Sequence, residues 1–192
     1  MLLLRKPNLE FVRQFLAAQS VFDFTYPEVG ATATAAPPGY ILDHTRIKLG
    51  EGEAVFLSAK QALEHWEQFN IGWVSAVPPD TPLQPGQTVG VLATVLGVWW
   101  LNACRIIHLI DEPAPRRRFG FAYGTLPEHV GSGEECFLIT WDQNDNSVWY
   151  EIVAFSRPRQ WLMRLGYPFA RTRQKRFGRD SAAAMLRKVK GS

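Results

Sequence analysis

The residues best able to do acid–base work lie together in one stretch, Tyr123-Gly-Thr-Leu-Pro-Glu128-His129-Val-Gly-Ser-Gly-Glu134-Glu135. An imidazole gains and loses its proton near neutral pH, and beside a carboxylate it can serve as general acid or base. Paired with Glu134 or Glu151, His129 suits a cyclase or dehydratase type of reaction. The alternative is a solvated loop kept bendable by Gly131 and Gly133. Glu151 sits in a strand, Ser147 to Ser156, that is apolar on both faces, so burial would force it to find a partner. Arg157 shares its strand parity, and Arg105 or His108 on neighbouring strands are further candidates. Glu151 therefore reads equally as a charged anchor inside a pocket or as a structural ion pair. Asn102, in the run Trp99-Trp100-Leu101-Asn102, offers one polar group to orient a ligand in an apolar pocket, unless those tryptophans only fill a core.

Other chemistries have no support in the residue pattern. His44, His65, His108 and His129 form no HxH, HExxH or Cys-His grouping, so no metal site is expected. No GxGxxG, Walker loop or GxSxG occurs, and no cofactor is expected. Cys104 and Cys136 fall in apolar strand-like runs without a CxxC, which suits buried free thiols in a reducing compartment. Only three apolar residues follow Met1 before Arg5, too few for a signal-peptide core, and no apolar run approaches the length of a membrane span. A cytoplasmic protein is expected.

The net charge of +3 hides a strong asymmetry: from Arg157 onward eleven Lys or Arg face a single acid, Asp180. Arg164, Arg171, Lys175 and Arg179 are spaced seven, four and four apart, which places them on one helix face. That face is either a simple solvated surface or a patch for an anionic membrane surface or nucleic acid. Nucleic acid is the less expected partner, because the aromatics lie in the strands while the bases lie on the last helix, and a stacking platform interleaves them.

These residues must be positioned by a definite order of elements. Leu9, Val12, Phe15 and Leu16 mark an amphipathic helix behind the cap residue Asn8, and Pro27 to Gly39 reads as an irregular arm. Residues 1–39 thus form a helix and arm ahead of one domain, 40–192. Within it, Tyr40 to Leu49 alternates as a strand, and Glu53 to Phe69 has helical periodicity with Phe56, Leu63 and Trp66 inward. Strands follow at Ile71 to Val77, Thr88 to Leu96, Val98 to Ile110, Arg116 to Tyr123, Glu134 to Trp141 and Ser147 to Ser156. A closing helix then carries Trp161, Leu162, Leu165, Phe169, Phe177 and Met185 on its apolar face. Pro168 clashes with a regular helix, so this element is expected to kink or restart near Gly166 and to act as a hinged lid. Several strands are apolar on both faces, for example Val89 and Val91 against Leu92. The second face needs a cover, either the N-terminal forty residues or a second copy, and monomer and homodimer both remain open.

The predicted class is α+β: a curved antiparallel sheet of about six or seven strands wrapped on a long C-terminal helix, with an extra N-terminal helix. This order is that of a helix-grip fold and resembles the START and pollen-allergen superfamily. Individual motifs carry a narrower resemblance. Tyr40-x-x-Asp43, Leu49-Gly-Glu-Gly52, Gly72-Trp73, Phe121-Ala-Tyr-Gly-Thr-Leu-Pro127, Gly133-Glu-Glu135 and Phe155-Ser-Arg-Pro158 resemble uncharacterised protein family 0548, from about Tyr26 onward. The resemblance implies a bacterial and plant domain of unknown function and no catalytic residues. The expected partner is a hydrophobic small molecule, lipid- or isoprenoid-like, in an internal cavity. Trp66, Asn102, Tyr123, His129, Glu134, Glu151 and Arg157 are its candidate ligands.

Overall fold

A computed structural model describes residues 1–158 and 167–191. After a two-residue strand β1 (Leu2–Leu3), the chain forms α1 (Leu9–Gln19), β2 (Ile41–Glu51) and α2 (Glu53–Glu64). Strands β3 (Val74–Val77), β4 (Thr88–Val95), β5 (Val98–Glu112), β6 (Arg116–Thr125), β7 (Gly131–Asp142) and β8 (Ser147–Pro158) follow, and α3 (Tyr167–Lys190) closes the chain. The predicted elements are present with one change. Helix α2 stops at Glu64, because Trp66 takes a left-handed backbone (φ 58°) that diverts the chain into a short 3-10 turn at Glu67–Phe69. The described part of the closing helix, α3, begins at Tyr167, beside the expected break at Gly166, and has Pro168 in its first turn, where a missing N–H has no helical partner to lose. Trp161, Leu162, Arg164 and Leu165, expected at the start of the lid, lie outside the described residues.

The seven longer strands form one antiparallel sheet in the order β2-β8-β7-β6-β5-β4-β3, and β1 pairs with β5. A sheet of this width twists and curls. Register shifts at Lys48/Gly50 between β2 and β8 and at Ile106/His108 between β5 and β6 add bend, as bulges do. The concave side receives α2, the 3-10 turn and α3, with Phe56, Leu63, Phe69, Phe121, Phe137, Tyr150 and Met185 in its core. This is the helix-grip arrangement expected from the element order.

The second apolar face is covered from within the chain. Val12, Phe15 and Leu16 of α1 pack on Leu92, Leu101, Ala103 and Leu126 on the opposite side of the sheet. Asn8 caps α1 through its side-chain oxygen, which accepts from Phe11 N at 2.8 Å. An 11-residue helix is marginal on its own, but each buried Leu, Val or Phe contributes roughly 1.5–3 kcal/mol, so three suffice to hold it.

One contact sets how deep α3 lies. Gly178 faces Thr45 of β2, and a Cβ placed there would stand 2.5 Å from Thr45 Oγ1. Exchanging a helical glycine for alanine usually stabilises by roughly 1 kcal/mol. Here Gly178→Ala should destabilise by about 1–3 kcal/mol in denaturant unfolding, as overpacking does. Thr45→Ala, which removes the blocking oxygen, should restore much of that loss in the double variant. A Gly178→Ala protein more stable than the parent would contradict this close approach.

Candidate functional site

Between the curled sheet and α3 a half-open cavity of about 500 Å³ remains, where the sheet carries the small side chains Ala93 on β4 and Ala154 on β8. Phe69, Trp73, Val91, Ile152 and Phe177 supply apolar walls, and Lys175 and Arg179 of α3 stand at its exposed border. Trp73 is held in place by its indole N–H, which donates to Asp180 Oδ2 at 2.8 Å, and by the guanidinium of Arg176 5.0 Å from its ring centre.

Two polar pairs face this space. On the sheet, Glu135 of β7 lies between its cross-strand neighbours Tyr123 of β6 and Ala154 of β8, and all three line the cavity. The Tyr123 hydroxyl donates to Glu135 Oε2 at 2.6 Å. Burial pushes the Glu135 carboxyl up to about 7; the Tyr123 hydrogen bond opposes that rise and the charge of Asp43 adds to it. Burial likewise raises the Tyr123 phenol, with Glu135 reinforcing the effect. At the helix side, Arg171 grips both oxygens of Asp43 on β2, one at 2.6 Å. Arg171 also donates to Gln174 Oε1 at 2.8 Å, and Gln174 Nε2 donates to Ser156 Oγ of β8 at 3.1 Å. This latch joins the first turns of α3 to the β2 edge of the sheet.

Of the residues singled out from the sequence, Tyr123 and His129 line the cavity together. The Nδ1 of His129 accepts from Gly131 N at 3.0 Å. Glu134 borders the same space, but its carboxylate is taken up elsewhere. It accepts from the Tyr26 hydroxyl at 2.9 Å, Gly30 N at 2.7 Å, Thr32 N at 3.0 Å and the Thr32 hydroxyl, and it is only 3% exposed. Four hydrogen bonds fill its lone pairs and fasten the N-terminal arm to the sheet, so Glu134 is not placed to act as a base.

The remaining candidates lie away from the cavity. Glu151 sits opposite Arg46 in the β2–β8 register and pairs with its Nε at 3.0 Å and with His44 Nε2 at 3.2 Å. Its partners come from the edge strand, not from Arg157, Arg105 or His108. The guanidinium of Arg157 lies 4.5 Å from the centre of the Tyr40 ring. Arg105 donates to the carbonyls of Ser20 and Phe22 in the arm, at 2.6 and 2.8 Å. Trp66 is a core residue whose indole N–H donates to Thr81 O at 2.7 Å, with its ring 5.0 Å from Phe121. Asn102 holds a neighbouring loop: its Nδ2 donates to Val91 O and its Oδ1 accepts from Val130 N, both at 3.3 Å. On the basic face, Arg171 is committed to Asp43 while Lys175 and Arg179 reach the cavity border; Arg164 lies outside the described residues.

Glu135 was missed, although a signal for it exists. It shares strand parity with Phe137 and Ile139, both fully buried in the core, whereas Glu134 has the opposite parity. Cys104 and Cys136 are free and buried, and burial raises both thiols. Among the described residues no group of three or more His, Cys, Asp or Glu is arranged to hold a metal ion, and no helix is long and apolar enough to cross a membrane.

The position of Glu135 has a consequence for stability. The native carboxyl keeps its proton up to about pH 7, while the unfolded chain loses it near the ordinary 4.5. The native state therefore binds more protons across that window and loses stability as pH rises through it. Glu135→Gln removes this penalty. Relative to the parent, the variant should gain on the order of 2–3 kcal/mol between pH 4.5 and pH 8 in urea unfolding. A stability difference that is flat with pH would place Glu135 in water.

The family described as Domain of unknown function (DUF1990) matches residues 25–184. A UPF0548 protein of Dictyostelium discoideum is 35% identical over 203 residues, covering 96% of this chain and 94% of the relative. A UPF0548 protein of Deinococcus radiodurans is 34% identical over 199 residues, covering 97% and 98%. Among solved structures, the crystal structure of Ara h 8.0201 is similar at 11% identity and a TM-score of 0.48, over 77% of this chain and 99% of that one. With the family's match spanning the sheet, both cavity pairs and most of α3, the chain belongs to the DUF1990 family, the UPF0548 proteins.

Proposed function

We propose that this protein binds a hydrophobic small molecule, lipid- or isoprenoid-like, between the concave sheet and α3. The observation that supports this reading is the half-open cavity of about 500 Å³ in a face that is otherwise closely packed. Its size falls within the range of small-molecule sites, and its composition follows their pattern of apolar walls with few polar groups. A ligand that covers Phe69, Val91, Ile152 and Phe177 removes apolar surface from water, at roughly 25 cal/mol per Å² before the cost of association.

The catalytic alternative, a cyclase or dehydratase type of reaction, keeps His129 but must take Glu135 as its carboxylate. Glu134 is saturated and Glu151 faces β2. Among the described residues the anionic-surface reading narrows to Lys175 and Arg179, which would bring such a surface to the cavity border rather than to a separate face.

Ala154→Trp and Ala93→Trp would each fill the cavity from the sheet. Either variant should bind the neutral probe methylnaphthalene at least about tenfold more weakly by fluorescence titration, a difference of ~1.4 kcal/mol, with circular dichroism unchanged. Affinity equal to the parent's in both variants would remove the cavity as the binding site.

A further inference from the structure

The charges around the cavity are arranged unequally. At its border stand Lys175 and Arg179, and Arg173 also lines it while its guanidinium lies 4.9 Å from the Phe169 ring centre. Within it, Glu135 has one hydrogen-bond partner, the neutral Tyr123 hydroxyl, and forms no ion pair among the described residues. The acid whose charge acts on it, Asp43, is already matched by Arg171. A half-buried carboxylate held by a phenol, with no cation among the described residues paired to it, leaves an oxygen open to a donor. The space beside it is open to a ligand.

Resting on the proposed binding of an apolar molecule in this cavity, we infer that the ligand carries a protonated amine that pairs with Glu135 beside Tyr123. An ammonium donates to the carboxylate oxygen left open by Tyr123, and in a site screened from water such a charge-assisted bond is strong. The apolar body then extends past Phe69 and Phe177 toward the border, where Lys175 and Arg179 favour a polar or anionic outer end.

Every charged or titratable neighbour of Glu135 bears on the pH dependence. From β6 comes Tyr123, from β5 the Cys104 thiol, from β7 the Cys136 thiol and from β8 the Tyr150 phenol, all neutral near pH 7 because burial raises them. Asp43 of β2 is paired with Arg171 of α3, which also presents Arg173, Lys175 and Arg179. His129 borders the same cavity, while the His44 imidazole pairs with Glu151 on the other face of the sheet. A substitution at Glu135 isolates the contribution of this carboxylate.

The test is calorimetric titration of the full chain with naphthylmethylamine, its neutral isostere methylnaphthalene and naphthoic acid, at pH 6 and pH 8. For a carboxyl near pH 7 the ionised fraction rises from about a tenth to about nine tenths, so the amine should bind about tenfold tighter at pH 8. Glu135→Gln should abolish that dependence. Tyr123→Phe, which removes the bond favouring the ionised form, should move the midpoint of amine binding to higher pH. Amine affinity that keeps its pH slope in Glu135→Gln, falls toward pH 8, or is exceeded by that of naphthoic acid overturns the inference. If methylnaphthalene binds while the amine shows no advantage, only this inference fails. If methylnaphthalene does not bind at either pH, the cavity reading fails and takes this inference with it.

Discussion

Gly178 brings the backbone of α3 against Thr45 of β2, and the rest of the concave side follows from that approach. The helix lies close to the edge strand at this point, latched there by Arg171 on Asp43 and Gln174 on Ser156. Toward β4 the same helix stands off, since Ala93 opposite it is too small to fill the space. The cavity is thus a result of unequal side-chain size under a helix whose height is set at one edge. A bulkier residue at Gly178 would lift the helix, and bulkier residues at Ala93 or Ala154 would close the gap beneath it.

The charges are sorted by the two faces of the sheet. Outside, carboxylates are matched: Glu151 by Arg46 and His44, Asp142 by Arg116, Glu112 by Arg118. Exposed pairs of this kind contribute little to stability, typically 0–1 kcal/mol each. Glu134 and Glu135 stand next to each other in sequence, point to opposite faces of β7 and have opposite fates. Glu134 is saturated by the arm and stabilises its attachment. Glu135 faces the cavity with a single neutral donor, and that imbalance is the feature a ligand would correct.

Much of this architecture was legible because it depends on period and order. Antiparallel strands with short connections, a helix before them and a helix after them leave few arrangements, and the alternation of Phe119, Phe121 and Tyr123 marked the inner face of β6. The cover on the outer face was legible only as a need: that α1 meets it depends on the path of the arm, which carries no periodic signal. Site residues were less legible for a specific reason. A strand has period two, so neighbouring residues face opposite ways: Glu134, singled out from the sequence, borders the cavity but gives its carboxylate to the arm, while Glu135 beside it takes the Tyr123 hydroxyl. Glu151 was assigned the wrong partners because strand order is a tertiary property: nothing in β8 alone states that β2 lies beside it and sets Arg46 opposite. Asn102 and Trp66 illustrate a third limit, since a polar group in an apolar run is satisfied as readily by a backbone carbonyl as by a ligand.

The proposed function requires that the space between α3 and the concave sheet receive an apolar molecule. Nuclear magnetic resonance of the isotopically labelled protein titrated with methylnaphthalene tests it most directly, because it locates binding as well as detecting it. Saturable shifts should concentrate on Phe69, Trp73, Ala93, Ala154 and Phe177, from four separate segments of the chain that meet only at this cavity. Shifts confined to the outer face around α1, or none at concentrations where the probe is soluble, would contradict it.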